Sequence, residues 1–140
     1  MNIFLDANVL ISVVNQEYPL FTHSSRILSL ADNVNYKVYT SPLCLAITYY
    51  FSEKKSGTKM ANQKMKILSE KLLITTINPA CVKRTVSNPE ISDFEDGMEY
   101  YSAVDSDCSL VITENLKDFY FSKINITDCE GFFTNYINDL

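Results

Sequence analysis

The chain contains no tryptophan, a single histidine (His23), three glycines and four prolines in 140 residues. So little glycine and proline leaves no low-complexity tract or flexible linker, and no internal repeat is visible. One domain over residues 1–140 is therefore expected. The four cysteines, Cys44, Cys81, Cys108 and Cys129, are scattered without CxxC spacing. Zinc sites draw on close sets of thiolates and imidazoles, which this sequence does not supply. The cysteines read instead as buried or half-buried thiols of a reducing compartment. His23 has no Ser, Cys or Asp partner in a recognisable nucleophile motif and reads as a packing or surface residue. No apolar run approaches the roughly 18 residues of a membrane span. The opening MNIFLDANVL has no basic region ahead of its apolar run, as a secretion signal would. No membrane association and a cytoplasmic location are the resulting expectations.

What is present is ordinary globular composition, 46% hydrophobic and 21% charged, which excludes intrinsic disorder. A net charge of -5 argues against indiscriminate nucleic-acid binding, but the charge is unevenly spread. Between Lys54 and Arg84 eight Lys and Arg face only Glu70; from Thr85 onward twelve Asp and Glu face Lys117 and Lys123. A basic segment set against an acidic half suits a polyanion on one side and a cation on the other. A solvated helix face accounts for the same basic segment equally well.

Short apolar runs alternate with helical stretches. Asn2–Leu5 reads as a buried strand ending at Asp6, Leu20–Asn33 as a helix and Tyr36–Thr40 as a second strand. Ser41 followed by Pro42 is a cap-then-proline start for a helix to about Lys55. Ala61, Met65, Leu68 and Leu72 share one face of a helix over Thr58–Lys71. Leu72–Ile77 reads as a third strand, and Asn78-Pro79 starts a short helix. Ser92-Asp93-Phe94-Glu95 is a capping-box pattern opening a helix to about Val104. Ser109–Thr113 is a fourth strand, Asn125–Ile126 a short fifth, and Thr127-Asp128-Cys129-Glu130 a second capping-box pattern. Strands separated by helices of this length predict parallel βαβ units. The fold class is thus α/β: a three-layer α/β/α sandwich around a doubly wound, mainly parallel sheet of four to five strands.

In such sheets ligands bind beyond the carboxyl ends of the strands, where strand order reverses. Asp6 follows the first strand directly, Asp96 lies in the first turns of the helix leading into the fourth, and Thr113, Asn115 and Asp118 follow the fourth. If strands one and four are neighbours, these groups converge. Converging carboxylates raise one another's pKa unless a cation neutralises them. Oxygen ligands without His or Cys point to Mg²⁺ or Mn²⁺, and such ions assist phosphodiester displacement. Lys54, Lys55, Lys59, Lys64 and Lys66 would then track a phosphate backbone. Each residue also has a plainer reading. Asp6 can simply cap a helix, Asp118 can be a loop residue, and Asp93 and Glu95 serve the capping box and helix dipole. Tyr49, Tyr50, Tyr100 and Tyr101 read as packing residues.

Four segments carry a family resemblance. FLDANVLIS at Phe4–Ser12 resembles the opening of PIN domains. DFEDGMEYYSA at Asp93–Ala103, ITENLKDF at Ile112–Phe119 and INITDCEGFF at 124–133 resemble later pieces of a bacterial PIN subgroup, in the same order. The resemblance implies a metal-dependent endoribonuclease of the VapC toxin kind. It also implies an RNA substrate, an antitoxin protein partner and a homodimer. It makes Asp6 and Asp96 metal-binding carboxylates, Asn115 and Asp118 further ligands, and Thr113 a hydroxyl that orients water or a ligand carboxylate.

One position departs from the family pattern. In SPLCLAITYYF, Ile47 stands where many PIN domains carry an acidic residue, and Glu53, six residues on, faces elsewhere. With Asn115 also neutral, the expected site has fewer charges than usual. That opens a second reading, a PIN-fold RNA- or protein-binding module whose catalysis has weakened. A phosphatase of the haloacid dehalogenase type, which also starts with a strand ending in Asp, needs D-x-D; here the third position is Asn8, which cannot act as a general acid.

Overall fold

The structure, a computed structural model, describes residues 1–137. In chain order its elements are β1 (Asn2–Leu5), α1 (Ala7–Val14), α2 (Phe21–Ser29), β2 (Lys37–Thr40), α3 (Pro42–Ser56), α4 (Thr58–Lys71), β3 (Leu73–Ile74), α5 (Pro79–Ser87), α6 (Phe94–Asp105), β4 (Leu110–Ile112), β5 (Asn125–Thr127) and α7 (Cys129–Asn135). Short 3-10 turns occupy Leu30–Asp32 and Leu116–Phe119.

All five strands are parallel, in the order β3-β2-β1-β4-β5. The chain winds outward from β1 through β2 to β3, then crosses back to build β4 and β5 on the other side of β1. Right-handed crossovers put α1–α4 on one face of the sheet and α5 and α6 on the other. The helix contacts agree: α1 packs on α2 and α3, α3 on α4, and α5 on α6, while α7 closes onto α2. With helices on both faces the central strands need apolar side chains at every position rather than at alternate ones. Ile3, Phe4, Leu5, Leu110, Val111 and Ile112 are all fully buried. This is the doubly wound parallel architecture expected from the strand and helix alternation.

The caps are set by side chains. Ser41 accepts from the Cys44 amide and Asn78 from the Cys81 amide, each followed by proline. The two capping-box patterns are shifted by one residue. Asp93, not Ser92, accepts from the Asp96 amide at 3.1 Å, and Asp128, not Thr127, accepts from the Gly131 amide at 2.7 Å. A carboxylate binds the exposed amides and the helix dipole more strongly than a hydroxyl does, so the aspartate next in line takes the cap. Two other boundaries also differ from expectation. The helix expected over Leu20–Asn33 is α through Ser29 and then tightens into a 3-10 turn. The strand expected over Leu72–Ile77 is only Leu73–Ile74, because Leu72 turns inward to finish α4 as a buried C-cap. Ladder pairing beyond Ile74 continues only through the Thr75 amide to the Thr40 carbonyl at 2.8 Å.

Two glycines are demanded by geometry. Gly57 joins α3 to α4 at φ 85° and ψ 167°, a conformation open essentially to glycine alone. Gly97 lets α6 lie against α5 and its exit loop: a Cβ there would stand 2.4 Å from Thr85 Cγ2 and 2.9 Å from Ile91 Cγ2. The cysteines are all free and buried, as expected, and His23 packs its ring against Phe133 at 5.4 Å.

Candidate metal centre

Parallel pairing of β1 with β4 aligns Leu5 with Ile112, which brings the next residues, Asp6 and Thr113, level at the carboxyl edge of the sheet. The Asp6 amide still donates to the Ile112 carbonyl at 3.0 Å. This is the point where strand order reverses, so β1 and β4 part company above it and leave a crevice.

Asp6 is 5% exposed and anchored on both oxygens. Oδ1 accepts from the Ala7 amide at 2.7 Å, capping α1. Oδ2 accepts from the Thr113 hydroxyl at 2.7 Å and from the Asn8 amide group at 3.3 Å. Capping and convergence are therefore both true of this carboxylate. Thr113, fully buried, accepts in turn from the Asn115 amide at 3.0 Å and from Asn8 Nδ2 at 3.2 Å. Asn8 Oδ1 accepts from the Glu114 amide at 3.1 Å. Every polar atom of the Asn8 side chain is thus engaged in holding Asp6 and the β4 exit, which leaves no general acid of the D-x-D kind.

A cleft of about 320 Å³ opens above these groups, lined by Asp6, Asn8, Ile11, Ile47, Phe51, Asp93, Glu95, Asp96, Glu99, Asn115 and Asp118 among others. Asp6, Asp96, Asn115 and Asp118, far apart in sequence, line this one cleft, and Thr113 lies directly beneath through Asp6. Asp93 and Glu95, attributed above to capping, line it as well. Glu95 makes no return bond to a cap; its carboxylate lies at the N-terminal turn of α6, where the cleft opens.

Glu99 is the residue that sequence reasoning missed. It lies one turn past Asp96 on α6, only 1% exposed, and its Oε2 is buried without a hydrogen-bond partner. A ligand oxygen of Glu99, one of Asp6 and the sulfur of Cys44 all lie within 4.8 Å of one another. The overlooked signal was spacing. Glu95 and Glu99 are like charges at i and i+4, a destabilising helical pair, and Glu99 is followed by the apolar stripe of Tyr100 and Ala103.

The electrostatics follow from six carboxylates and no Lys or Arg lining the cleft. Burial, reinforced by Asp6, Asp93, Asp118 and Glu95, pushes the Asp96 carboxyl up to about 8. Burial and then the Asp6 charge push Glu99 well above the carboxylate range. Burial, with Glu99 and Asp6 nearby, likewise raises the Cys44 thiol. Cys44 therefore stays protonated and lies 3.9 Å from Asp6 Oδ1 as a weak donor. Protonation is one way to relieve such a cluster; a divalent cation is the other. The orphaned Glu99 oxygen belongs with Asp6 to a compact donor group, and Asp96 and Asp118 line the same cleft. Carboxylate oxygens are the donors that suit a hard divalent ion.

The lysines lie elsewhere. Lys55 Nζ donates to the Asn15 carbonyl and Lys64 Nζ to the Val14 carbonyl, the latter at 2.6 Å, so both close the C-terminus of α1. Two of the five lysines expected to track a backbone thus serve helix capping. Lys54, Lys59 and Lys66 are exposed on α3 and α4.

An all-parallel α/β sheet with an acidic cleft at its β1/β4 switch point defines the class of fold. The sequence matches the PIN domain family over residues 2–117, and the chain belongs to that family. Its fold is similar to VapBC2 from Rickettsia felis, solved bound to a DNA fragment from its promoter, with TM-score 0.68 and 18% identity over 91% of this chain and 98% of that one. It is similar to VapBC-1 from nontypeable Haemophilus influenzae, with TM-score 0.67 and 16% identity over 93% and 99% of the two chains. It is similar too to VapC20 from Mycobacterium tuberculosis, a toxin that cleaves the sarcin-ricin loop, with TM-score 0.62 and 16% identity over 78% and 86%. No curated protein sequence matches the chain.

Proposed function

We propose that this PIN domain is a divalent-metal-dependent endoribonuclease, the toxin of a toxin–antitoxin pair, with Mg²⁺ or Mn²⁺ as its cofactor. The observation that carries this reading is the single cleft lined by six carboxylates and no basic side chain at the β1/β4 switch point. Asp6, Asp96 and Asp118 would hold the ion, with Asn115 supplying a neutral oxygen. When bound, the ion supplies Lewis acidity for a water nucleophile and neutralises charge gathering on the phosphodiester. The Thr113 hydroxyl and the Asn8 amide fix the Asp6 carboxylate from below, so one orientation faces the cleft. The α7 N-terminus is occupied internally: the Cys129 amide donates to Glu114 at 2.9 Å, which keeps that carboxylate out of the cleft.

The exposed Lys54, Lys59 and Lys66 remain the candidates for contact with the RNA backbone. An antitoxin and a second copy of the chain are the expected protein partners. Phe51 lines the cleft while 43% exposed, with Tyr50 edge-on against it at 5.2 Å, an apolar rim of the sort a covering protein engages.

The test is titration of Mn²⁺ or Mg²⁺ into the parent and the Asp6→Asn and Asp96→Asn variants, following melting temperature and cleavage of a structured RNA. Metal-dependent cleavage lost in both variants supports the nuclease. The second reading, a binding module, rests on Ile47 at the cleft wall. It predicts RNA binding without cleavage and without a metal response.

A further inference from the structure

The α3 wall of the cleft contributes only apolar side chains, Ile47 and Phe51, whereas α6 and its N-cap residue contribute four of the six carboxylates. Three of these are accounted for at the rim or by the reading above: Asp93 caps α6, Glu95 is exposed, and Asp96 faces its neighbours while half-buried. Glu99 differs in kind. It is buried as deeply as the hydrophobic core, yet no Lys, Arg or backbone amide reaches its Oε2. A carboxyl oxygen withdrawn from water without a partner is an unfavourable arrangement, and the polar groups that do reach this side chain are the Asp6 carboxylate and the Cys44 thiol. An apolar residue at this position would avoid it. Its position explains it: one turn below Asp96, with an oxygen within 4.8 Å of an Asp6 oxygen.

We propose that Glu99 is a metal ligand of this cleft, delivering from α6 the carboxylate that α3 lacks at Ile47. This deepens, and rests on, the metal-dependent reading above. Asp6 and Glu99 form the inner, water-shielded part of the cation position, and Asp96 closes it toward solvent. Cys44 stays outside the ligand set as a neutral thiol. The ion is a hard divalent cation such as Mn²⁺ or Mg²⁺, because the donors facing it are carboxylate oxygens.

The experiment measures Mn²⁺ binding calorimetrically, and melting temperature in chelator, for the whole chain and for D6N, E99Q, E99D and the double variant I47E/E99Q. The parent is expected to bind Mn²⁺, and E99Q to bind about 100-fold more weakly, with a melting temperature in chelator equal to or above the parent's. The double variant, with its carboxylate returned to the α3 wall, is expected to regain at least part of that affinity. If E99Q does not fold, E99D withdraws the same charge by one methylene. A drop in its affinity with unchanged melting in chelator supports the proposal, and an unchanged affinity overturns it. Parent-like binding by E99Q, with binding abolished in D6N, removes Glu99 from the ligand set and leaves the cleft reading intact. Absence of Mn²⁺ binding by the parent overturns both.

Discussion

The two ends of the eight-residue helix α1 are treated in opposite ways. At its C-terminus the Val14 and Asn15 carbonyls receive the Lys64 and Lys55 ammonium groups, so the negative end of the helix dipole is neutralised by the chain itself. At its N-terminus Asp6 caps the helix, but the cleft around it is lined by further carboxylates and, among the described residues, by no Lys or Arg. Neutralisation was available to this fold and was used where it serves stability alone. Where it is withheld, the carboxylates face one another, and burial and mutual repulsion raise the pKa values of Asp96 and Glu99. A buried acidic cluster becomes informative when charges elsewhere in the same molecule are paired. Arg84 with Asp105 at 2.8 Å and Lys71 with Asp32 at 2.6 Å sharpen that contrast.

The largest way to break the contrast is to neutralise the cleft chemically. Asp6→Asn is expected to reduce metal-dependent RNA cleavage by about 100- to 1,000-fold, read as single-turnover rates at saturating metal. The folded protein should survive, because the amide oxygen still caps α1. Next in size is the stabilisation expected from the proposed metal. Mn²⁺ at 100 times its Kd should stabilise the fold by about 2.7 kcal/mol, raising the melting temperature by roughly 8 °C. No such rise is expected in Asp6→Asn.

A pH series gives a smaller effect of defined sign. The Asp96 carboxyl is raised from 3.8 to about 8, so the folded state holds its proton more tightly than the unfolded chain. That stabilisation is complete below about pH 3.8 and is lost as pH climbs through 8. The metal-free melting temperature should fall by about 3 °C or more between pH 5 and pH 8. Asp96→Asn should flatten the slope, and a metal-free protein that gains stability over that interval would contradict the electrostatics described. The smallest effect is at the other end of the helix. Lys55→Met and Lys64→Met should each cost about 1 kcal/mol, or roughly 3 °C, and leave Mn²⁺ affinity unchanged. Coupling of these lysines to metal binding would show that the two ends are not independent.

The parts of the site legible in the sequence were those fixed by strand ends. Asp6 and Thr113 each follow a short apolar run directly, and one register decision places them together. Asp118 followed from the same logic and Asp96 from the start of the helix leading into the fourth strand, and both line the same cleft. Glu99 was not legible, because a glutamate inside a helix ordinarily faces water, and only tertiary packing of α6 against the sheet turns it inward. The lysines show the converse limit: composition marks a basic segment, but not that two of its members, Lys55 and Lys64, reach the carbonyls at the C-terminus of α1. The capping boxes were read one residue early where a hydroxyl preceded an aspartate. The third strand was read too long because LLITTI is apolar and β-branched, while the end of α4 had already claimed Leu72.

Gly97 lies next to Asp96 and faces away from the cleft, against Thr85 and Ile91. Thr85 cannot give way easily: its hydroxyl donates to the Cys81 carbonyl at 2.8 Å, which locks a side chain already stiff at χ1. Even one added methyl would therefore have to pry the two helices apart. The acidic turn is thus braced from its rear, and the spacing of the carboxylates is set as much by a hydrogen atom on that hidden side as by the acids themselves.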